Sequence, residues 1–495
     1  MMNKGSHGRR FLVRYFLVCG VVFHGAVSPW QQAMAAVDAA GDPAYASEMP
    51  VTPSVMADRH RAADATGRTG PSPALRSTVD EAIASIRQQY QVAGVVVGVS
   101  IDGTHQFFDY GVASRDTKRP VSQRTLFEVG SVSKTFAAAV AERAQAQGGF
   151  QWNDPVSKVV PALRGSAFDR IRMWQLGTHT TGLPLQVPDE VTNDAQLIDY
   201  LQHWTPPRGQ SVGEVSDLHR LYSNVGTGLL GRSAADSMGR DYATIVEHDM
   251  LPALGMRGTY LTVPSDRMAD YAQGYTRDDR PIRVQRGVLG DEAYGVKSSA
   301  EDLLHYLDLQ IAATQAVRDT KRGPHVSDTI TDRPATNGAL PETIGRRAAW
   351  LAALAGTQRP WVRAGVITQD LMWEQYPYPV TVATLQEGCG APLASALPAR
   401  VLPQATSVTV STREASAVWI NKTGSTNGFG AYLVFIPQRR IGLVMLFNKN
   451  VPIAARVAAA AKIVSAIDST GIKRPVQKEP GGAVYFPVKR LTLDA

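Results

Sequence analysis

Three short stretches of this 495-residue chain carry side chains whose types and spacing can do chemistry together. In "GSVSKTF", Ser131 precedes Lys134 by three positions, where an apolar helical pattern begins. A serine hydroxyl is a weak nucleophile until an adjacent base takes its proton. At helical spacing the two side chains share a face, so the amine reaches the hydroxyl. An ordinary helix start produces the same pattern, because serine is a favoured capping residue and Ser-x-x-Lys arises by chance about once in a chain this long. Alone, the pair decides nothing.

Two downstream stretches change the weighting: Tyr222-Ser223-Asn224 in "HRLYSNVGTGLLG" and Lys422-Thr423-Gly424 in "NKTGSTNGFGAY". A lysine serves as base only when burial or a nearby cation depresses its pKa, and Lys422 is a candidate for that cation. Tyr222 offers a phenol that can pass a proton between the serine oxygen and a departing nitrogen. Singly, each has a plain explanation. Tyr222 is then a half-buried core tyrosine, Lys-Thr-Gly a turn, "LPLQVPD" a Pro-bounded loop, Tyr271 mere packing and Glu292 a solvated or paired acid. Their joint order carries the information.

The order Ser-x-x-Lys, Tyr-x-Asn, Lys-Thr-Gly resembles that of the penicillin-recognising serine enzymes. With "LPLQVPDE" (183–190), "DEAYGVKSSAEDL" (291–303) and "FIPQRRIGLVMLFNKN" (435–450), the chain is similar to class C β-lactamases, the secreted serine cephalosporinases, from about residue 78 to 468. The resemblance implies hydrolysis of cephalosporins and penicillins through an acyl-enzyme on Ser131, with Lys134 and Tyr222 managing protons. It places an oxyanion between the amides of Ser131 and Ser425. Gln186 and Asn224 would hydrogen-bond the substrate amide. Lys422, Thr423, Asn450 and Arg456 would face the substrate carboxylate, with Gly424 in the same binding motif. Ile453 departs from the pattern, standing where many relatives carry a polar Asn. No metal or organic cofactor is implied. The nearest alternative is a D-Ala-D-Ala peptidase or esterase of the same superfamily, and a catalytically dead penicillin-binding sensor is a further one. A metallo-enzyme lacks its His-x-His-x-Asp cluster among the ten histidines, and no serine sits in Gly-x-Ser-x-Gly.

The elements that must position these residues are partly legible. "VDEAIASIRQQY" has helical spacing, and "VAGVVVGVSIDGTHQFFDYGVAS" reads as a hairpin about Asp102-Gly103. "TFAAAVAERAQAQ" is helix-forming and stops at Gly148-Gly149. The middle, roughly 150–285, is loop-rich with helical pieces such as "DYATIVEHDMLPAL". "FGAYLVFIPQRRIGLVMLF" reads as two strands joined by a turn, and "AARVAAAAKIVSAI" as a last helix. The expected fold is α+β: an antiparallel sheet built from both chain ends and flanked by helices, plus a mostly helical lobe. The active site is expected at the seam, where clefts often form.

Composition bounds the rest. With 44% hydrophobic and 19% charged residues the chain is globular, and its +7 net charge is scattered, which argues against nucleic-acid binding. Residues 1–36 read as an export signal: Lys4, Arg9, Arg10 and Arg14, an apolar run, then Ala33-Met34-Ala35. "RRFL" is an incomplete twin-arginine pattern, and Cys19 lacks the small preceding residue of a lipoprotein site. Residues 37–77 read as a flexible leader, 78–468 as the catalytic domain with an insertion near 313–348 and a shorter one in "RGQSVGEVSD", and 469–495 as a tail. Removing the signal leaves only Cys389, so no internal disulfide forms. The expected protein is a periplasmic monomer without a membrane anchor, its partner a small-molecule β-lactam.

Overall fold

The computed structural model describes residues 72–207, 213, 215–321, 342–390, 395–403 and 417–469. The first helix, α1 (Pro73–Tyr90), begins where the Ser72 side chain accepts from the Leu75 amide and Pro73 supplies a preset first turn. It thus starts inside the stretch read as leader, because a cap and a proline outweigh the polar composition around them. The export signal and the tail after residue 469 lie outside the described residues.

Strands β1 (Gly94–Ile101) and β2 (Thr104–Gly111) form the expected hairpin. Asp102 and Gly103 both have positive φ, 52° and 79°, the twist that a two-residue loop needs. Helix α2 (Ser133–Ala146) follows a 3₁₀ turn at Gly130–Val132, and α3 (Asn224–Ser237) follows the short strand β3 (His219–Arg220). Residues 242–254 are helical throughout, passing through a π segment at Val246–Met250.

The polar stretch 313–348 divides differently from its reading as one insertion. Helix α4 (Ala300–Lys321) runs into it, and α5 (Glu342–Thr357) begins within it. Its middle, 322–341, lies outside the described residues. Beyond α5 come β4 (Val362–Ala364), β5 (Ile367–Gln369), β6 (Glu374–Pro377), helix α6 (Val382–Cys389) and β7 (Leu397–Val401). Runs of three to five residues give too few repeats for a period to show, which is why these strands escape a sequence reading. Strands β8 (Val418–Ser425), β9 (Gly430–Ile436) and β10 (Ile441–Phe447) and helix α7 (Ile453–Ser469) complete the fold.

Together they build one ten-stranded antiparallel sheet in the order β2-β1-β10-β9-β8-β6-β5-β4-β7-β3. Its central strands are apolar on both faces, and the period of two sorts their side chains into two cores. On β9, Leu433 and Phe435 face the helical lobe containing α2 and α3, while Tyr432 and Val434 face α1 and α7. Among the described residues, no helix is long and apolar enough to cross a membrane.

One buried ion pair ties the sheet's edge to its middle. Arg220 on β3 donates to Glu374 on β6 at 2.7 Å and to Gln369 on β5 at 2.7 Å, all three with little or no exposure. Glu374→Leu should leave the arginine buried without its charge partner. We expect a loss of about 3–5 kcal/mol in chemical denaturation, and an unchanged midpoint would show that the pair does not hold the edge.

Candidate active site

Ser131 lies in the 3₁₀ turn rather than at an N-cap, so the plain capping explanation fails for it. The turn is pressed against β8 with only hydrogen atoms between them. A Cβ on Gly130 would stand 2.5 Å from both the nitrogen and the oxygen of Ser425, and one on Gly424 would stand 2.0 Å from the Val129 carbonyl oxygen. Gly130 also has φ of +50°, a region that side chains disfavour. The Val129 amide donates to Val296 O at 3.1 Å. Ser133 locks the same turn from behind: its hydroxyl donates to Gly130 O at 2.7 Å and accepts from the Val296 amide at 3.0 Å.

Lys134 is fully buried one helical turn from Ser131. Its ammonium donates to Ser131 Oγ at 3.1 Å and to Ala293 O at 2.8 Å. Glu292, beside that carbonyl, is a buried acid held by Arg232 at 3.0 Å, and its pairing matches the plain reading. Tyr222 lies between two ammonium groups, with Lys134 Nζ 5.1 Å and Lys422 Nζ 5.2 Å from its ring centre. Ser131 and Lys422 both act on its hydroxyl, and the Lys422 ammonium also donates to Thr423 O at 3.0 Å.

These neighbours set the protonation states. Burial pulls Lys134 down to about 8, helped by the Lys422 charge and opposed by Tyr222. For Tyr222 burial acts upward, but the charges of Lys134 and Lys422 and the hydrogen bonds from Ser131 and Lys422 outweigh it, leaving the phenol at about 8. Lys134 and Tyr222 are therefore matched, so a proton costs little to move between them near neutral pH.

Sequence reading missed His179. It is buried, adopts φ of +59°, and stacks on Tyr222 with ring centres 4.2 Å apart. Its Nδ1 accepts from the Ser223 amide at 3.2 Å. Burial and the cations Arg220, Lys134 and Lys422 hold it neutral, well below the usual imidazole range. Nothing in "GTHTTG" signals this, because the contact spans 43 positions.

The predicted binding residues divide into three groups. Ser223 caps α3 by accepting from the Gly226 amide and donates to Pro184 O, while the Asn224 amide donates to Leu185 O. These bonds bring Gln186 beside Asn224, whose Oδ1 is enclosed and lacks a hydrogen-bond partner among the described residues. Gln186 opens onto a cleft of about 1010 Å³ between 186–194 and 282–288, reaching Tyr294 and Asn427. Lys422, Thr423 and Gly424 are on β8, ending at Ser425, and Asn450 is half-buried with an enclosed Oδ1. Arg456 is fully buried, as Lys422 is, and its guanidinium grips the backbone of β8 and β9. It donates to Gly424 O at 2.6 Å, to Ala431 O at 2.8 Å and to Ser425 Oγ at 2.8 Å. A cation among carbonyls braces β8 from behind and reaches the cleft side through the Ser425 hydroxyl. Ile453 also turns away, into the core shared with α1, so the apolar replacement fills the core.

Known proteins agree with this architecture. A sequence profile of the beta-lactamase family matches residues 79–467. A beta-lactamase of Pseudomonas fluorescens is 39% identical over 399 residues, spanning 80% of this chain and 99% of that protein. A solved class C beta-lactamase in complex with cefoxitin is 40% identical with a TM-score of 0.67, covering 79% of this chain and 98% of the other. A solved D-alanine carboxypeptidase from Burkholderia cenocepacia is also 40% identical, with a TM-score of 0.65 and coverage of 79% and 99%. The fold and these likenesses define a serine hydrolase of the class C type. The chain belongs to the β-lactamase family.

Among the described tyrosines, only Tyr222 has its pKa displaced downward, and ultraviolet difference titration reads phenolate directly. We expect one phenolate to form near pH 8 and to vanish in Tyr222→Phe. In Lys422→Ala the step should move to higher pH, because a lost cation destabilises the anion. A step that does not move would show that Lys422 exerts no field on the ring.

Proposed function

We propose that this protein is exported to the periplasm and, as a monomer, opens the β-lactam ring of cephalosporins and penicillins through an acyl-enzyme on Ser131. The observation that carries the proposal is the 3.1 Å contact between the buried Lys134 side-chain nitrogen and Ser131 Oγ, with the Tyr222 ring against both Lys134 and Lys422. The serine oxygen adds to the lactam carbonyl as its proton passes to the Lys134 side chain in its neutral amine form, or to the Tyr222 phenolate. Negative charge on the carbonyl oxygen is met by the amides of Ser131 and Ser425, a reading supported by the close approach of Gly130 to Ser425. The carbon–nitrogen bond then breaks, and Tyr222 returns a proton to the ring nitrogen. Water attacks the resulting ester and releases the ring-opened acid, restoring the serine.

Binding follows the same geometry. Asn224 and Gln186 meet the substrate's side-chain amide, a role supported by the opening of Gln186 onto the cleft. Lys422, Thr423 and Asn450 meet the carboxylate, with Arg456 holding Gly424 and Ser425 in place. The signal-like residues 1–36 support export. A second reading, D-alanyl peptide hydrolysis, is favoured by the Burkholderia structure, and it shares every step up to the acyl-enzyme.

Intact mass after mixing with a penicillin tests the nucleophile. Ser131→Ala should lose the adduct while keeping its circular dichroism, and an adduct persisting in that variant would remove Ser131 from the role. Tyr222→Phe should lower turnover of a chromogenic cephalosporin by about 10²–10⁴-fold, unaffected by a metal chelator. A stable adduct without turnover in the parent chain would select the peptidase reading.

A further inference from the structure

The two amides assigned to the oxyanion belong to separate elements, the turn at 130–132 and the end of β8, and nothing covalent sets their separation. Glu128 spans them. It is buried two residues before Gly130, on the short strand Phe127–Glu128 that pairs with Lys297–Ser298. Its Oε2 accepts from Thr426 Oγ1 at 2.5 Å, and Thr426 directly follows Ser425. Its Oε1 accepts from the Tyr271 hydroxyl at 2.7 Å and from the Val284 amide at 2.8 Å. Thr426 is itself buried, and its amide closes the turn onto Phe429 O at 3.0 Å. Val284 lines the cleft beside Gln285 and Arg286.

One carboxylate therefore joins the segment entering the Ser131 turn, the residue leaving the Lys-Thr-Gly strand, and the cleft wall. Hydrogen bonds to a charged acceptor are shorter and stronger than neutral ones, which suits a group that must hold position to a few tenths of an ångström. Arg456 braces the same strand end from the opposite side, through Gly424 O and Ser425 Oγ. The end of β8 is thus held between a buried anion and a buried cation. Tyr271, assigned to simple packing on sequence grounds, supplies one of the donors that fix the anion.

We propose that Glu128 is a positioning residue for the oxyanion site: through Thr426 it fixes the Ser425 amide relative to the Ser131 amide, and through Val284 it registers the cleft wall to both. The proposal rests on the acyl-enzyme reading above.

The test compares the mature chain with Thr426→Val, Thr426→Ser and Glu128→Gln, measuring penicillin acylation rates by quenched intact mass. It also measures affinity for a boronic acid, whose tetrahedral oxygen takes the oxyanion's place. Loss of alignment at one donor should slow Thr426→Val by about 10- to 100-fold and weaken boronic acid binding by a similar factor, with Glu128→Gln moving the same way. Thr426→Ser, which keeps the hydroxyl, should stay within about threefold of the parent, as should the dissociation constant of the first, non-covalent complex in both Thr426 variants. Acylation at the parental rate in both Thr426→Val and Glu128→Gln overturns the proposal. So does a loss that Thr426→Ser shares, since that would mark general damage rather than a missing bond. If Thr426→Val does not fold, Glu128→Gln and Thr426→Ser decide the question by the same comparison. Failure of the acyl-enzyme reading is distinguishable, because the parent itself would then carry no adduct on Ser131.

Discussion

The site depends on one backbone contact, the packing of the 129–131 turn against the end of β8. Glycine at 130 and at 424 is the only side-chain choice that allows it, since a methyl group at either position would overlap backbone atoms of the facing element. Backbone cannot yield as a flexible side chain can. The contact therefore sets where Ser131 stands relative to Lys422, Thr423 and Ser425. Much of the surrounding structure serves to preserve it: Ser133 and Val296 from the helical side, Arg456 from the sheet side, and Glu128 through Thr426 across the gap.

Burial then gives these groups their reactivity. Lys134 is surrounded by protein and loses hydration that its charge would need, while Tyr222 lies between two ammonium groups that favour its anion. The two effects act in opposite directions on opposite charge types, and both bring the group close to neutral pH. His179 completes the balance. As a neutral ring it fills the space against Tyr222 and fixes the Ser223 amide, and it adds no further cation to a site that already holds two. The carbonyl of Ala293 gives Lys134 a second acceptor besides Ser131 Oγ, which fixes the direction of its side chain.

The cleft is attached to this centre by the chain itself. Tyr222, Ser223 and Asn224 are consecutive, and their backbone and hydroxyl bonds to Pro184, Leu185 and His179 carry the chemistry directly into the wall that presents Gln186. Arg232 extends the tie by bonding both Asp194 at the far end of that wall and Glu292 beside Ala293. Tyr222, Asn224 and Gln186 thus share one hydrogen-bonded frame, the kind of preorganisation that favours interactions which tighten in a transition state.

The sequence by itself singled out the residues that the structure gathers, because each lies in a short local motif: a helical spacing for Ser131 and Lys134, Tyr-x-Asn for Tyr222 to Asn224, and Lys-Thr-Gly for Lys422 to Gly424. It also determined the elements long enough to show a period, namely α1, the β1–β2 hairpin, α2, β9, β10 and α7. It left the strands β3 to β7 unseen, since runs this short carry no pattern, and it blurred 313–348, where charged helix ends look like loop. Only the tertiary structure shows what His179, Glu128 and Arg456 touch. Each acts through partners distant in sequence, and a buried polar side chain is defined by what it touches. Arg456 shows the difference: the sequence places it correctly near the motif, but whether its guanidinium faces a substrate or grips the backbone behind the strand is decided by packing, which no local spacing encodes.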